Sequence, residues 1–300
     1  MEKTIYTAFG LTWHLPFVCP EMGAPTTAVT ANVSVSLGQV PDILPQATDA
    51  GPFQQVTPEA VLFRFPGVAS YLVQNGAEII IQPEPGAPET QLRLFLLGTA
   101  AALLLHQRGI LPLHASGIRT PQGAVLFTGH SGFGKSTLLA TFLERGYAML
   151  TDDVAAISLD GNGRPHVSPS YPHFKLWADS AEMLNRTTDS LARVHPELEK
   201  FAVPAVALDN CSLPLHTVYV LTPSNEPSLR LEPLHNARKF NVFLDHTWQK
   251  MALKRMNRHA EHFRQSVAVA NQIRLHRVYR PEKPFQPYAL ADLIEADFLS

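Results

Sequence analysis

Cysteine is almost missing from this 300-residue chain, occurring only as Cys19 and Cys211. Nothing in their spacing predicts a disulfide, and two thiols cannot make a zinc site unaided. Excess charge of one sign is missing too: 24 Lys and Arg face 26 Asp and Glu, a net charge of −2. No block of basic residues stands out, which argues against a nucleic-acid or membrane-surface partner. Long apolar runs are absent. The most apolar stretch, Leu94 to Leu105, spans twelve residues, against roughly 20 needed to cross a bilayer, so it predicts a buried core helix. Met1 to Tyr6 carries no apolar export segment, and the expected setting is a reduced cytoplasm. Three motif absences remove further classes. There is no N-K-x-D for guanine, no LSGGQ-like transporter signature and no H-E-x-x-H, and His14 has no ligand-spaced partner. No repeat or low-complexity segment occurs.

What is present describes a globular protein with ample core: 45% hydrophobic and 17% charged residues, with 25 prolines spread through loops and turns. Residues 1 to 90 read as a β-rich module that could bind a leader peptide or partner, or serve as a structural cap. Short apolar or alternating runs lie at Leu11–Leu15, Ala31–Leu37, Val61–Phe65, Ser70–Val73 and Glu78–Gln82. Asn75-Gly76 predicts a tight hairpin between the last two. Gln39 to Pro58 is expected to be a polar connection and Pro83 to Glu89 a boundary loop. A helix from about Thr90 to Arg108, stopped by Gly109, opens a second domain, residues 91–300. There Leu113–Arg119 and Ala124–Thr128 are expected to pair through a Pro-Gln-Gly turn. Tyr147–Thr151 is a further strand, Asp160–Gly163 a hairpin turn, Ser180–Asn185 a helix and His216–Thr222 a strand. Asn236 to about Leu275 is expected to be mainly helical, and Ala289–Leu299 a terminal helix.

The most informative segment is Gly129-His130-Ser131-Gly132-Phe133-Gly134-Lys135-Ser136-Thr137, which fits G-x-x-x-x-G-K-[ST]. In such a loop backbone N–H groups cradle nucleotide phosphates, the lysine reaches the β/γ oxygens, and the following hydroxyl holds Mg²⁺. Its flanks agree. The apolar run Gly123–Thr128 reads as a buried strand. Leu138, Leu139, Phe142 and Leu143 form the stripe of a helix stopped by Gly146. Asp152-Asp153 begins seventeen residues beyond Lys135, at the end of the next strand. If that strand runs parallel beside the loop strand, one carboxylate can hold Mg²⁺ and the other can take a proton from an attacking hydroxyl. His114 is expected on the strand that leads into the loop strand; taken alone, a histidine in an apolar run is more often a satisfied core residue.

At His114, Gly129 to Ser136, Arg145-Gly146 and Asp152-Asp153 the chain resembles the HPr kinase/phosphorylase family, whose nucleotide fold is similar to that of phosphoenolpyruvate carboxykinases. Leu96-Leu-Gly98, Leu104 to Gly109, Leu111 to Ser116 and Phe174 to Trp177 look like the branch that phosphorylates the C-terminal serine of lasso-peptide precursors. The resemblance implies an α/β fold: an HPr-kinase-like P-loop core with a mixed sheet, preceded by the β-rich module. It implies a serine kinase using ATP or GTP and Mg²⁺ on a peptide or small protein, with a homo-oligomer left open. Asp152 would be the general base, and Asp153 and Ser136 would hold the metal. Lys135 and the loop amides from Gly129 to Thr137 would hold the phosphates, with His114 beside the transferred group. The family's C-terminal Pro-Gly-Arg-Asn element is not found; the nearest basic segments are Arg238-Lys239 and Arg277 to Arg280 with Lys283. That departure counts against HPr as the substrate and against phosphorylase activity; the alternatives are an HPr(Ser) kinase acting on a carrier protein and a non-catalytic nucleotide-binding regulatory protein.

Overall fold

A computed structural model describes the chain except residues 1–3, 28–29, 48, 185–186, 189–190, 192, 196–197 and 207–208. Among the described residues it is a mixed α/β protein with two large mixed sheets and a three-stranded one.

The first sheet has eight strands, all within residues 4–83. Their spatial order is Thr4–Ala8, Leu11–Leu15, Val33–Leu37, Glu78–Pro83, Ala69–Gln74, Ala60–Phe65, Gln54–Val56 and Asp49–Ala50. Val33–Leu37 runs parallel to both its neighbours, and the other pairs are antiparallel. The Asn75-Gly76 turn forms as expected, with positive φ at both residues (56° and 60°), the backbone twist a two-residue hairpin requires. The segment expected to be a connection, Gln39 to Pro58, instead contributes the last two strands of this sheet. They are held by pairing to Ala60–Phe65, which local composition does not reveal.

One face of this sheet packs on a long helical run, Glu89–Phe95, a wide π turn Leu96–Ala100, and Ala101–Gln107. Leu96 and Ala100 through Leu105 are fully buried there among Trp13, Val33, Tyr71 and Ile79. Gln107 finishes the joint. Its side chain donates to the carbonyls of Glu59 and Val73 and accepts from the Gly76 N–H.

The second sheet centres on the strand Gly123–Thr128. It pairs antiparallel with Ala115–Thr120 and parallel with the long strand Leu213–Ser224. Leu213–Ser224 in turn runs parallel to Arg274–Pro281. Helices cover both faces. Val125 and Phe127 meet Lys135–Glu144 and the terminal helix Pro287–Leu299; Ala124 and Leu126 meet Ala237–His246 and His259–Gln272. A strand buried on both sides reads as one continuous apolar run, which is what Gly123–Thr128 shows. Arg274–Pro281 departs from the expectation of helix reaching Leu275, because the helical stretch stops at Gln272.

Ala148–Thr151 does not lie beside the loop strand. It pairs antiparallel with Ala115–Thr120, which stands between the two. Two antiparallel pairings restore a common direction. Thr128 and Thr151 therefore end at the same edge of the sheet, opposite Ala115 and Gly117.

Candidate active site

That sheet edge opens into a cleft of about 520 Å³ lined by the glycine loop, Asp152, Asp153, His114, Lys175, Trp177, Lys200, Trp248 and one side of the long helical run. The loop leaves the strand at Gly129 and enters the helix at Lys135, with positive φ at Gly129, Gly132 and Gly134 (146°, 81° and 92°). At Gly129 a Cβ would lie 2.8 Å from the Leu221 carbonyl oxygen, and at Gly134 the same distance from the Phe285 ring. At Gly132 a Cβ would meet nothing within 4 Å, so the loop is packed from behind and open in front. No side chain caps the helix N-terminus at Gly134. The first N–H groups of Lys135–Glu144 and the positive end of its dipole therefore suit an anion.

Lys135 is buried, and its ammonium donates to the carbonyls of Gly129 (2.8 Å) and His130 (3.1 Å). Burial lowers its pKa to about 8, against the pull of Asp152 and Asp153. Ser136 Oγ donates to Asp152 Oδ1 at 3.2 Å, and Thr137 Oγ1 donates to Ser180 Oγ. His130 is exposed, with its ring edge against Phe133 and His246.

After Thr151 the chain turns sharply. Val154 N–H bonds back to the Asp152 carbonyl, and Asp153 adopts φ 69°, a left-handed conformation that aspartate tolerates better than most residues. The turn sends the two carboxylates to different partners. Asp152 is buried; besides Ser136 it accepts from Ser116 Oγ (2.7 Å) at Oδ1 and from the Lys175 backbone N–H (2.8 Å) at Oδ2. Asp153 accepts from Lys175 Nζ at 2.7 Å and lies 3.3 Å from His114 Nδ1. Burial alone would raise the Asp153 carboxyl, but the Lys175 ammonium and the His114 hydrogen bond hold it well below the usual range. The resemblance joins Ser136 to Asp153; in the structure Ser136 bonds to Asp152.

His114 is not on the strand that leads into the loop. It sits in the break between Leu111–Leu113, which pairs with Ala155–Ile157, and Ala115–Thr120. Its N–H bonds the His246 carbonyl, and its own carbonyl accepts from Thr128 Oγ1. Its Nδ1 is 3.0 Å from the Asp153 carbonyl oxygen, which can only accept, so Nδ1 carries a hydrogen. The ring stacks on Trp248 at 4.7 Å. Arg145 does not reach the cleft; it binds Asp292 and Glu295 on the terminal helix.

No family model matches this chain, and no curated protein matches its sequence. Among solved structures, the HPr(Ser) kinase/phosphatase from Coxiella burnetii is similar over 63% of this chain and 90% of that one, at 15% identity and a TM-score of 0.33. A likeness of that size assigns no activity.

The oxygen donors present fit a small hard cation. Ser136 Oγ and Asp152 Oδ1 adjoin the glycine loop, and among the described residues no cluster of three or more His, Cys, Asp or Glu is placed to cage a metal, here or elsewhere. One carboxylate and one hydroxyl, completed by phosphate oxygens and water, is a donor set suited to Mg²⁺. Lys175, Ser116 and Trp248 are site residues that sequence reasoning did not place. Lys175 lies on the strand His173–Trp177. Among the described residues no helix is long and apolar enough to cross a membrane.

Proposed function

We propose that this chain is a Mg²⁺-dependent kinase that moves the γ-phosphoryl group of ATP or GTP to a serine hydroxyl. The observation that carries this reading is the pair Asp152 and Asp153 at the mouth of the glycine loop, one bonded to Ser136 and the other to Lys175. The loop amides and Lys135 hold the phosphates. Ser136 and Asp152 would hold the metal, which would supply positive charge to offset that of the phosphates. Asp152 is taken up on the loop side by Ser136, which leaves Asp153, beside Lys175 and His114, for the role of base. It takes the serine proton as the new O–P bond forms and the bond to the nucleoside diphosphate breaks. His114 and Lys175 keep that carboxylate ionised and aimed. The acceptor suggested by the resemblance is the C-terminal serine of a lasso-peptide precursor.

The test is to incubate the protein with Mg²⁺, ATP or GTP and a Ser-ending precursor and to look for phosphopeptide by mass spectrometry. Transfer to a phosphotransferase carrier protein instead would redirect the substrate assignment, and tight nucleotide binding with no acceptor would leave a nucleotide-binding regulator. Asp153→Asn should lower kcat by about 10²–10⁴, the usual worth of a general base, with nucleotide affinity kept. Asp152→Asn should chiefly raise the Mg²⁺ concentration needed for half-maximal rate. The opposite pattern would return the base role to Asp152.

A further inference from the structure

Three lysines line the cleft: Lys135, Lys175 and Lys200. Two are engaged. Lys175 is paired with Asp153, and Lys135 donates to the loop carbonyls of Gly129 and His130. Lys200 is different. Its ammonium lies 5.3 Å from the centre of the Trp177 ring, and among the described residues no carboxylate pairs with it.

Its position follows from register. His173–Trp177 and Leu198–Pro204 pair antiparallel, with Trp177 opposite Lys200 and Lys175 opposite Ala202. Side chains alternate across such a pair. Phe174, Leu176 and Val203 enter the core beneath the helix Lys135–Glu144. Lys175, Trp177 and Lys200 take the other face, which lines the cleft together with the glycine loop. Trp177 remains 37% exposed there, an aromatic surface that keeps a cationic side chain extended across it. The third carboxylate on the cleft, Asp179, accepts from the N–H of Ser180 at the start of its own helix and does not answer Lys200.

We propose that Lys200 is a second phosphate-facing lysine of the cleft, holding the terminal phosphate of a bound triphosphate from the wall that carries Trp177. This rests on the kinase reading and adds a catalytic group to it. Phosphoryl transfer spreads charge over three equatorial oxygens, and a cation fixed on their far side stabilises that charge where the cleft excludes water. The β-phosphate, cradled by the loop, needs no such partner. Lys200 therefore distinguishes triphosphate from diphosphate.

The experiment is calorimetric binding of Mg·ATP, Mg·ADP, Mg-tripolyphosphate and Mg-pyrophosphate to the wild-type chain and to Lys200→Ala, Lys200→Arg and Lys135→Ala. Lys200→Ala should weaken ATP and tripolyphosphate at least about tenfold and change ADP and pyrophosphate less than about threefold. Lys200→Arg should retain most of the preference, and Lys135→Ala should weaken all four. An unchanged ATP-to-ADP ratio in Lys200→Ala overturns the inference, and so does a defect confined to the KM of a peptide acceptor, which would mean that Lys200 meets a carboxylate of the acceptor. If Lys135→Ala behaves as stated and Lys200→Ala does not, the kinase reading stands and this inference falls. If the wild-type chain binds none of the four, both fall.

Discussion

At the scale of single residues, the site depends on how a few charges are held. Lys135 combines a buried ammonium with a pKa near 8. A phosphate binds the protonated form, so affinity for Mg·nucleotide should be flat below pH 8. Above it, affinity should weaken by up to about tenfold per pH unit as the ammonium loses its proton. Titration calorimetry from pH 7 to 9.5 measures this, and Lys135→Arg, charged throughout, should show no such slope. The placement of Gly129, Lys135 and Ser136 in one loop at a helix start was legible in the sequence because it is local: their spacing along the chain is their spacing in space. Lys175 was not legible. It reaches Asp153 from 22 residues away in sequence, and nothing in Phe174-Lys-Leu-Trp177 says which carboxylate it will meet. The pairing of Ser136 with Asp152 was hidden for a related reason. Which of two adjacent acids faces the loop depends on the left-handed turn at Asp153, whose carboxylate meets Lys175 and His114 from distant parts of the chain.

At the scale of elements, the glycine loop is braced from a strand two places away. Arg280, buried at the end of Arg274–Pro281, donates from Nε to the Phe133 carbonyl, and its guanidinium lies 4.4 Å from the centre of the Phe285 ring. Phe285 packs where a side chain on Gly134 would go. Gly134→Ala should therefore both strain a φ of 92° and push the ring away, lowering nucleotide affinity about tenfold or more with the global fold retained. Gly134→Ala combined with Phe285→Ala relieves the clash but not the strain and should recover only part; binding by the double variant checks this. Elements with a strong local signal were readable, such as the Asn75-Gly76 hairpin and the helix after the loop. Those that exist through their neighbours were not. The short strands Gln54–Val56 and Asp49–Ala50 are completed by pairing, and Arg274–Pro281 is a strand because Leu213–Ser224 offers it a parallel edge. His114 was placed one residue into a strand that in fact breaks there.

At the scale of the whole molecule, buried histidines make the fold sensitive to acid. His106 and His262 are buried, and burial pushes each down to about 4. His106 Nε2 contacts the Trp248 carbonyl and His262 Nε2 the Thr247 hydroxyl, so both hold the segment that presents Trp248 to His114. Because the folded values lie below the unfolded one of about 6.5, the unfolded chain takes up protons first. Stability is then full above pH 6.5 and falls as pH drops from there toward 4, by up to about 1.4 kcal/mol per pH unit for each histidine. Urea unfolding across that range should show the decline, and His106→Gln should reduce its slope by about one proton.

The long helical run between residues 89 and 107 has two allegiances. Its buried side, Leu96 and Ala100 to Leu105, is covered by the eight-stranded sheet, while Leu94, Phe95, Gly98 and Thr99 form part of the cleft wall. Cutting the chain at the loop before Glu89 would leave an N-terminal piece with a bare apolar face and a C-terminal piece whose first helix has lost its cover. Each fragment carries the complement of the other's uncovered apolar face. Mixing the two should reconstitute the cleft by fragment complementation, and co-elution of the two pieces checks this.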